Sequence, residues 1–365
     1  MSRASSRNFF AGLWLIVTLE LRQRVRGVAW YVLLGIFVLL VGAVTALLWV
    51  STSAWQSGGG GVFSTIIFFV LLLGTLVSPA LSGNAVNGDR DAGTLATTQV
   101  TLISTGQLVL GKFVAAWITA LAFLGAAVPF LLFAVVLGEI SLGTILVSVL
   151  VLAAELGVIA AVGVGLSGIL ARPLFSIVVT YLVVAALSIG SLIAFALLGT
   201  ATKSEATAVN YEVVSSTFDE STGAQSNIVC SKAQTSSFDV PRFDYYWWIL
   251  ASNPYVVVAD AAPGTFDEND SPRDLFGWIA IGVRGAQTPP PLYTEYNSCE
   301  AAANNMYGDG FIDQGPTPRE IYDGAVPSWF VGLGSHLLLG AGALFWAWRR
   351  TNTPAGRLPT GSRIA

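Results

Sequence analysis

Six apolar stretches, at 29–50, 62–81, 113–137, 142–170, 173–198 and 327–348, constrain this chain more than anything else in it. A helix crosses the hydrocarbon of a bilayer in about 20 residues, and each stretch is long enough to do so. The breaks between them have physical causes. Residues 51–61 form a Ser/Gly-rich turn, 83–112 a long polar stretch, and 138–141 contain Glu139. Ala171-Arg172-Pro173 sets a charge and a helix starter between two runs too long to be one. Only 11% of residues are charged and 54% are hydrophobic. Soluble domains carry roughly 25% charged residues, and disordered chains need still more charge and less apolar surface. Both classes are excluded.

Charge then orients the spans. Between residues 199 and 326 there are six basic residues (Lys203, Lys232, Arg242, Arg273, Arg284, Arg319) against seventeen acidic ones, a net of −11. The remaining twelve basic residues all fall on the side of the termini when six spans are threaded, and the two short loops on the other face contain none. By the positive-inside rule both termini are cytoplasmic and the acidic block at 199–326 is extracytoplasmic. Residues 349–365 form a cytoplasmic tail.

Residues 1–28 do not read as a signal peptide. The apolar run from Phe9 to Leu19 leads into Glu20, Arg22, Arg24 and Arg26, with no small-residue cleavage site. Phe9, Leu13, Trp14, Ile16, Val17 and Leu21 recur at roughly helical spacing, which predicts an amphipathic helix in the headgroup plane. Within the acidic block, residues 203–239 read as strand and loop. A second apolar run at 245–262 opens with Tyr245, Tyr246, Trp247 and Trp248 and breaks at Asn253-Pro254. It predicts two short re-entrant helices with interfacial aromatics, although those rings also suit sugar or lipid headgroups. Cys230 and Cys299 lie in an oxidising compartment on this topology, which predicts a disulfide; two unpaired buried thiols are the alternative.

The polar stretch at 82–112 reads Gly88-Asp89-Arg90-Asp91-Ala92-Gly93-Thr94-Leu95 and ends in Gly111-Lys112. Here the chain resembles the permease subunits of ABC-2 type transporters. Their loop between the second and third spans shows an acidic/basic cluster, then Gly-Thr-Leu, then an amphipathic segment ending in Gly-Lys. Leu102 stands where that loop usually has a proline. The resemblance implies an all-α polytopic fold with six transmembrane helices, an N-terminal elbow helix and re-entrant elements before the last span. The large acidic insertion, of mixed structure, lies outside the family pattern. It also implies a function: a bacterial plasma-membrane exporter subunit, paired with a second permease as homo- or heterodimer and driven by two ATPase subunits. Residues 82–112 would then be the coupling segment, with Asp89, Arg90, Asp91, Gly93, Thr94, Leu95, Gly111 and Lys112 meeting the ATPase. ATP and Mg²⁺ would belong to that partner, and this chain would be no enzyme.

Other motifs offer alternatives to this reading. Gly106 to Phe113 nearly matches a phosphate-binding loop, but Phe113 stands where the Mg²⁺-binding hydroxyl is required. Ser167 in a Gly-x-Ser-Gly sequence and His336 suggest a rhomboid-like intramembrane serine protease. Ser167 lies roughly 37 Å into its span and His336 about 13 Å into its own, at 1.5 Å per residue, whereas a nucleophile and base need about 3 Å. A non-catalytic scaffold presenting the external block is the third possibility. Glu155 is a carboxylate deep inside a span, either paired or lining the translocation path; His336 is either an interface residue or a substrate contact. Ala153, Gly157, Ala161 and Gly165, with Gly332, His336 and Gly340, form small-residue stripes suited to close helix packing. One histidine and no cysteine pair at zinc spacing predict no metal site, and the acidic block disfavours nucleic acid.

Overall fold

The computed structural model describes residues 2–55, 59–93, 103–138, 140–218, 225–303 and 315–352. Six helices are long and apolar enough to cross a membrane, making this a multi-pass membrane protein. Helix α1 (Ser2–Arg26) bends at Gly27 into the first span, α2 (Val28–Trp55). The second span, α3 (Gly59–Ser82), is followed by a tight turn and the short α4 (Asn87–Asp91).

The third span, α5 (Thr105–Val136), starts eight residues before the boundary expected from hydropathy. A capping box is the reason. Ser104 Oγ accepts from Gln107 N, and Gln107 Oε1 accepts from Ser104 N at 2.7 Å, satisfying two donors at the helix start. Gly111 and Lys112 therefore belong to the helix and not to the loop.

The fourth span, α6 (Leu142–Ile169), is capped by Ser141. Arg172 and Pro173 open the fifth, which runs as α7 (Pro173–Ala185), a π turn (Ala186–Gly190) and α8 (Ser191–Ala201). The last span is α14 (Trp329–Thr351). Helix α6 is the core of the bundle: 61% of its most apolar window is buried, against 17% for α2 and for the fifth span, which turn most of their surface outward.

The small-residue stripes do what their spacing predicts. Gly340 sits against Ala161, and a methyl on Gly165 would stand 2.6 Å from Ala343 Cβ. The backbones of α6 and α14 approach closely as a result.

Between the fifth and sixth spans lies the mixed region. Strands β1 (Lys203–Tyr211), β4 (Gln234–Pro241) and β5 (Tyr293–Asn297) form a sheet in the order β4-β1-β5. β1 pairs antiparallel with β4, Ala206 opposite Phe238, and parallel with β5, Thr207 opposite Tyr293. A separate hairpin joins β2 (Val213–Phe218) to β3 (Gln225–Cys230). The second apolar run forms two short helices, α9 (Trp247–Ala251) and α10 (Pro254–Ala261), broken at Ser252-Asn253. Then come α11 (Leu275–Gly285), α12 (Ser298–Ala303) and α13 (Pro318–Gly324). Asp274 caps α11 through Gly277 N at 2.8 Å, and burial raises its carboxyl above the usual aspartate range.

Cys230 and Cys299 are disulfide-bonded, with Cα atoms 5.9 Å apart. The bridge ties the end of β3 to α12.

Candidate functional site

Helix α1 lies along α5, and the residues that hold it there converge on one ammonium group. Lys112 is 2% exposed; its Nζ is 2.5 Å from Glu20 Oε1 on α1 and 2.8 Å from Asp89 Oδ2 on α4. An unpaired ammonium buried this deeply would be costly, so two carboxylates offset the lost hydration. A methyl on Gly111 would meet Ile16 at 2.8 Å, so only glycine lets α1 approach this closely. Gln107 donates to the Phe9 carbonyl at 2.9 Å. Further along, Arg24 donates to Thr119 Oγ1 and to the Leu81 carbonyl, each at 3.2 Å.

A second set of bonds ties α4 to the end of α6. Arg90 donates to Asn87 Oδ1 at 3.0 Å and to the Leu170 carbonyl at 3.2 Å. Ser167 Oγ accepts from Val86 N at 2.9 Å and from Asn87 N at 3.1 Å. Helices α1, α4, α5 and α6 thus meet in one polar junction. Asp91 and Gly93 are exposed beyond it, and Gly93 takes the left-handed conformation at φ 70°. Arg22 and Arg26 are exposed on α1. Thr94 and Leu95 lie outside the described residues.

Glu155 and His336 come together, a pairing that sequence reading did not foresee. Their side chains are 1% and 2% exposed, and His336 Nδ1 lies 2.9 Å from Glu155 Oε1. The space beside them is about 20 Å³, room for about one water. Of the two expected roles of Glu155, the pairing is the one this geometry displays. Ser167, bonded to the backbone at 86–87, is not a hydrogen-bond partner of His336.

A wide apolar concavity lies elsewhere. About 500 Å³ opens between α3, the π turn of the fifth span, α10 and α11. Leu76, Val184, Ile189 and Ile279 supply its walls, with Thr75, Tyr181, Ser188, Asn253 and Tyr255 as polar points. Tyr181 donates to the Leu76 carbonyl at 2.6 Å, joining the second and fifth spans at its edge.

Two buried arginines organise the mixed region, and sequence reading singled out neither. Arg284 donates to Asp260 Oδ1 at 2.6 Å and to the Tyr322 carbonyl, with its guanidinium over the Tyr322 ring. The other Asp260 oxygen accepts from Ser328 N, Ser328 Oγ and Trp329 N at the start of α14. The available signal was a lone opposite-charge pair within short apolar runs. Arg242 holds Asp244 through Nε at 2.8 Å and Nη2 at 2.5 Å, and this bidentate bond keeps the Asp244 carboxyl below its usual range.

Among the described residues no cluster of three or more His, Cys, Asp or Glu could hold a metal ion. No protein-family model matches the sequence, and no curated protein matches it.

Proposed function

We propose that this chain is the membrane-spanning subunit of an ABC-2 type exporter in a bacterial plasma membrane. It works as a dimer of permeases with two copies of a separate ATPase, which binds ATP and Mg²⁺. Its termini are cytoplasmic, α1 lies in the inner headgroup plane as the elbow, and the mixed region faces outward.

One observation carries this reading: Lys112 binds α1 and α4 to the third span through Glu20 and Asp89. A push on the segment after the second span would therefore move α1 and α5 with it. Arg90 and Ser167 extend the same rigid unit to the end of α6. Within the acidic/basic cluster, Asp89 and Arg90 face inward to hold the junction together. Asp91 is the exposed charge left to meet a partner.

The apolar groove between the second and fifth spans supplies the surface for the apolar part of a cargo. Polar points at its rim would orient it, as in small-molecule sites generally. Nucleotide-driven movement of the junction would shift these spans between two packings.

The test is a pull-down from native membranes in mild detergent, followed by identification of bound chains and assay of ATP turnover. An ATPase should co-purify, and Asp91→Arg with Gly93→Val should uncouple it while the chain stays folded. Recovery without any nucleotide-binding chain, or coupling indifferent to both changes, would overturn the proposal. Retention of function by the isolated external region would favour a scaffold instead.

A further inference from the structure

This chain has one histidine, sealed in the bundle against the only carboxylate of the fourth span. The geometry fixes how many protons the pair holds. The Ser252 carbonyl can only accept, so His336 Nε2, 2.8 Å away, carries a proton. Nδ1 faces both Glu155 oxygens, at 2.9 and 3.0 Å. A second proton must sit between ring and carboxyl group, making either an imidazolium–carboxylate pair or a neutral imidazole–acid pair. Both forms have the same proton count. Removing that proton would set a ring lone pair against a buried carboxylate, leaving repulsion where there was a bond.

Among the described residues, no group beside the pair is placed to take over that charge. The small cavity at the pair is otherwise lined by Val, Ile, Leu and Pro. On the surrounding elements, Asp260 of α10 is engaged by Arg284 and by the start of α14. Tyr181 of α7 donates to a backbone carbonyl. Tyr255 of α10 lines the groove. Helices α3, α8 and α9 carry no ionisable side chain.

What the ring holds is continuous with the groove. Ser252, whose carbonyl His336 grips, precedes Asn253. Asn253 Nδ2 donates to the Ser188 carbonyl of the π turn at 2.6 Å and lies 2.9 Å from Ser191 Oγ. Its Oδ1 accepts from Tyr255 N at 2.9 Å. Ser188, Asn253 and Tyr255 all line the groove, and Val184 lines both the groove and the small cavity. π turns are frequent at functional sites, and here Asn253 engages the Ser188 carbonyl of one.

We propose that Glu155 and His336 form a proton-binding site whose occupancy sets the shape of the apolar groove, acting through Ser252, Asn253 and the π turn. With the proton bound, the ring clamps the 252–253 peptide and Asn253 holds the π turn. When it leaves, the pair separates, the ring turns off Ser252, and the groove wall relaxes. The ligand is a proton. Its meaning for cargo rests on the exporter reading, whereas the site's chemistry does not.

The single histidine makes the test direct. The full chain, labelled with ¹⁵N-histidine and placed in lipid nanodiscs, reports His336 alone. Across an acid-to-alkaline series Nε2 should stay protonated while the shared proton leaves, read at Nδ1 and, with ¹³C-glutamate labelling, at the Glu155 carboxyl. A second measurement places spin labels across the groove with Ile189→Cys and Ile279→Cys, the native cysteines being bonded to each other. The inter-label distance should shift in step with Nδ1. Glu155→Gln should remove both transitions. Asn253→Ala, which leaves the pair intact, should keep the Nδ1 transition and flatten the distance response. A shared proton that never leaves, at Nδ1 or at the Glu155 carboxyl, a distance that stays constant while it does, or a response that survives Asn253→Ala would each overturn the proposal. None of these readouts requires an ATPase, so its absence from a pull-down would bear on the exporter reading alone.

Discussion

Lys112 and Glu20 are 92 residues apart in sequence and 2.5 Å apart in space, with Asp89 closing the cluster from the opposite side. One ammonium between two carboxylates leaves one negative charge on this three-residue cluster, with Arg24 and Arg90 elsewhere in the junction. Glu20 and Asp89 keep partial access to solvent, at 19% and 32% exposure, and can therefore bear it. The lysine, almost fully enclosed, cannot lose its partners so cheaply.

Lys112→Met should therefore destabilise the chain by about 3 kcal/mol, the low end for breaking a buried pair, because two carboxylates lose their common counter-charge. Thermal unfolding in detergent measures the loss, and proteolysis at Arg22 and Arg26 should report release of α1. The triple variant Lys112→Met, Glu20→Gln, Asp89→Asn should recover most of the stability. No recovery would mean that the cluster is not held by charge.

Helix packing gives a second expectation. Gly165 has Ala343 Cβ and backbone within 2.7 Å of where a methyl would stand, so Gly165→Ala must push α14 away. Overpacking of this kind costs about 1–3 kcal/mol. Gly125 of α5 has nothing within 4 Å, and Gly125→Ala should instead stabilise by about 0.5–1 kcal/mol through helix propensity. The two melting shifts should have opposite signs.

These sites differ in how far the sequence discloses them. Spans are legible because twenty apolar residues in a row have few alternatives in a chain this poor in charge. The start of the third span was misplaced because Gln107 and Lys112 read as loop residues by polarity. Ser104 followed by Gln107 was the correct signal, and only packing against α1 explains why a lysine sits one turn later in a buried position. Glu155 and His336 are each conspicuous alone. Their pairing depends on the relative height of α6 and α14, 181 residues apart, which glycine stripes permit but do not specify. Asp260 and Arg284 drew no attention because one salt bridge hides two charges inside short apolar helices.

The disulfide closes 69 residues of the mixed region. In the chain-entropy treatment a loop of that size contributes about 4 kcal/mol. Cys230→Ser with Cys299→Ser should therefore loosen the hairpin and α12 while leaving the six spans intact. Limited proteolysis with and without reductant separates the two regions. Cleavage should appear between β2 and α12, and loss of the helical bundle under the same conditions would contradict the expectation.

Acid should loosen the junction held by Asp244 only late in an acid titration, because its carboxyl is depressed. Arg242 N donates to the Gly199 and Thr202 carbonyls, and its Nη1 donates to Ser204 Oγ at 3.0 Å, so it fastens the end of the fifth span to the sheet. Asp244 orients that guanidinium, and the bond lowers its carboxyl below the usual aspartate value. For a group whose folded value lies below the unfolded one, the stabilisation is fully present above the unfolded value, about 3.9 for aspartate, and disappears as pH falls through the folded one. Amide exchange at residues 199–205 should therefore accelerate, relative to Asp244→Asn, only as the folded carboxyl takes up its proton. The variant should already be loosened at neutral pH and show no further acid step. An acid step of equal size in Asp244→Asn would assign the loosening to a different carboxylate.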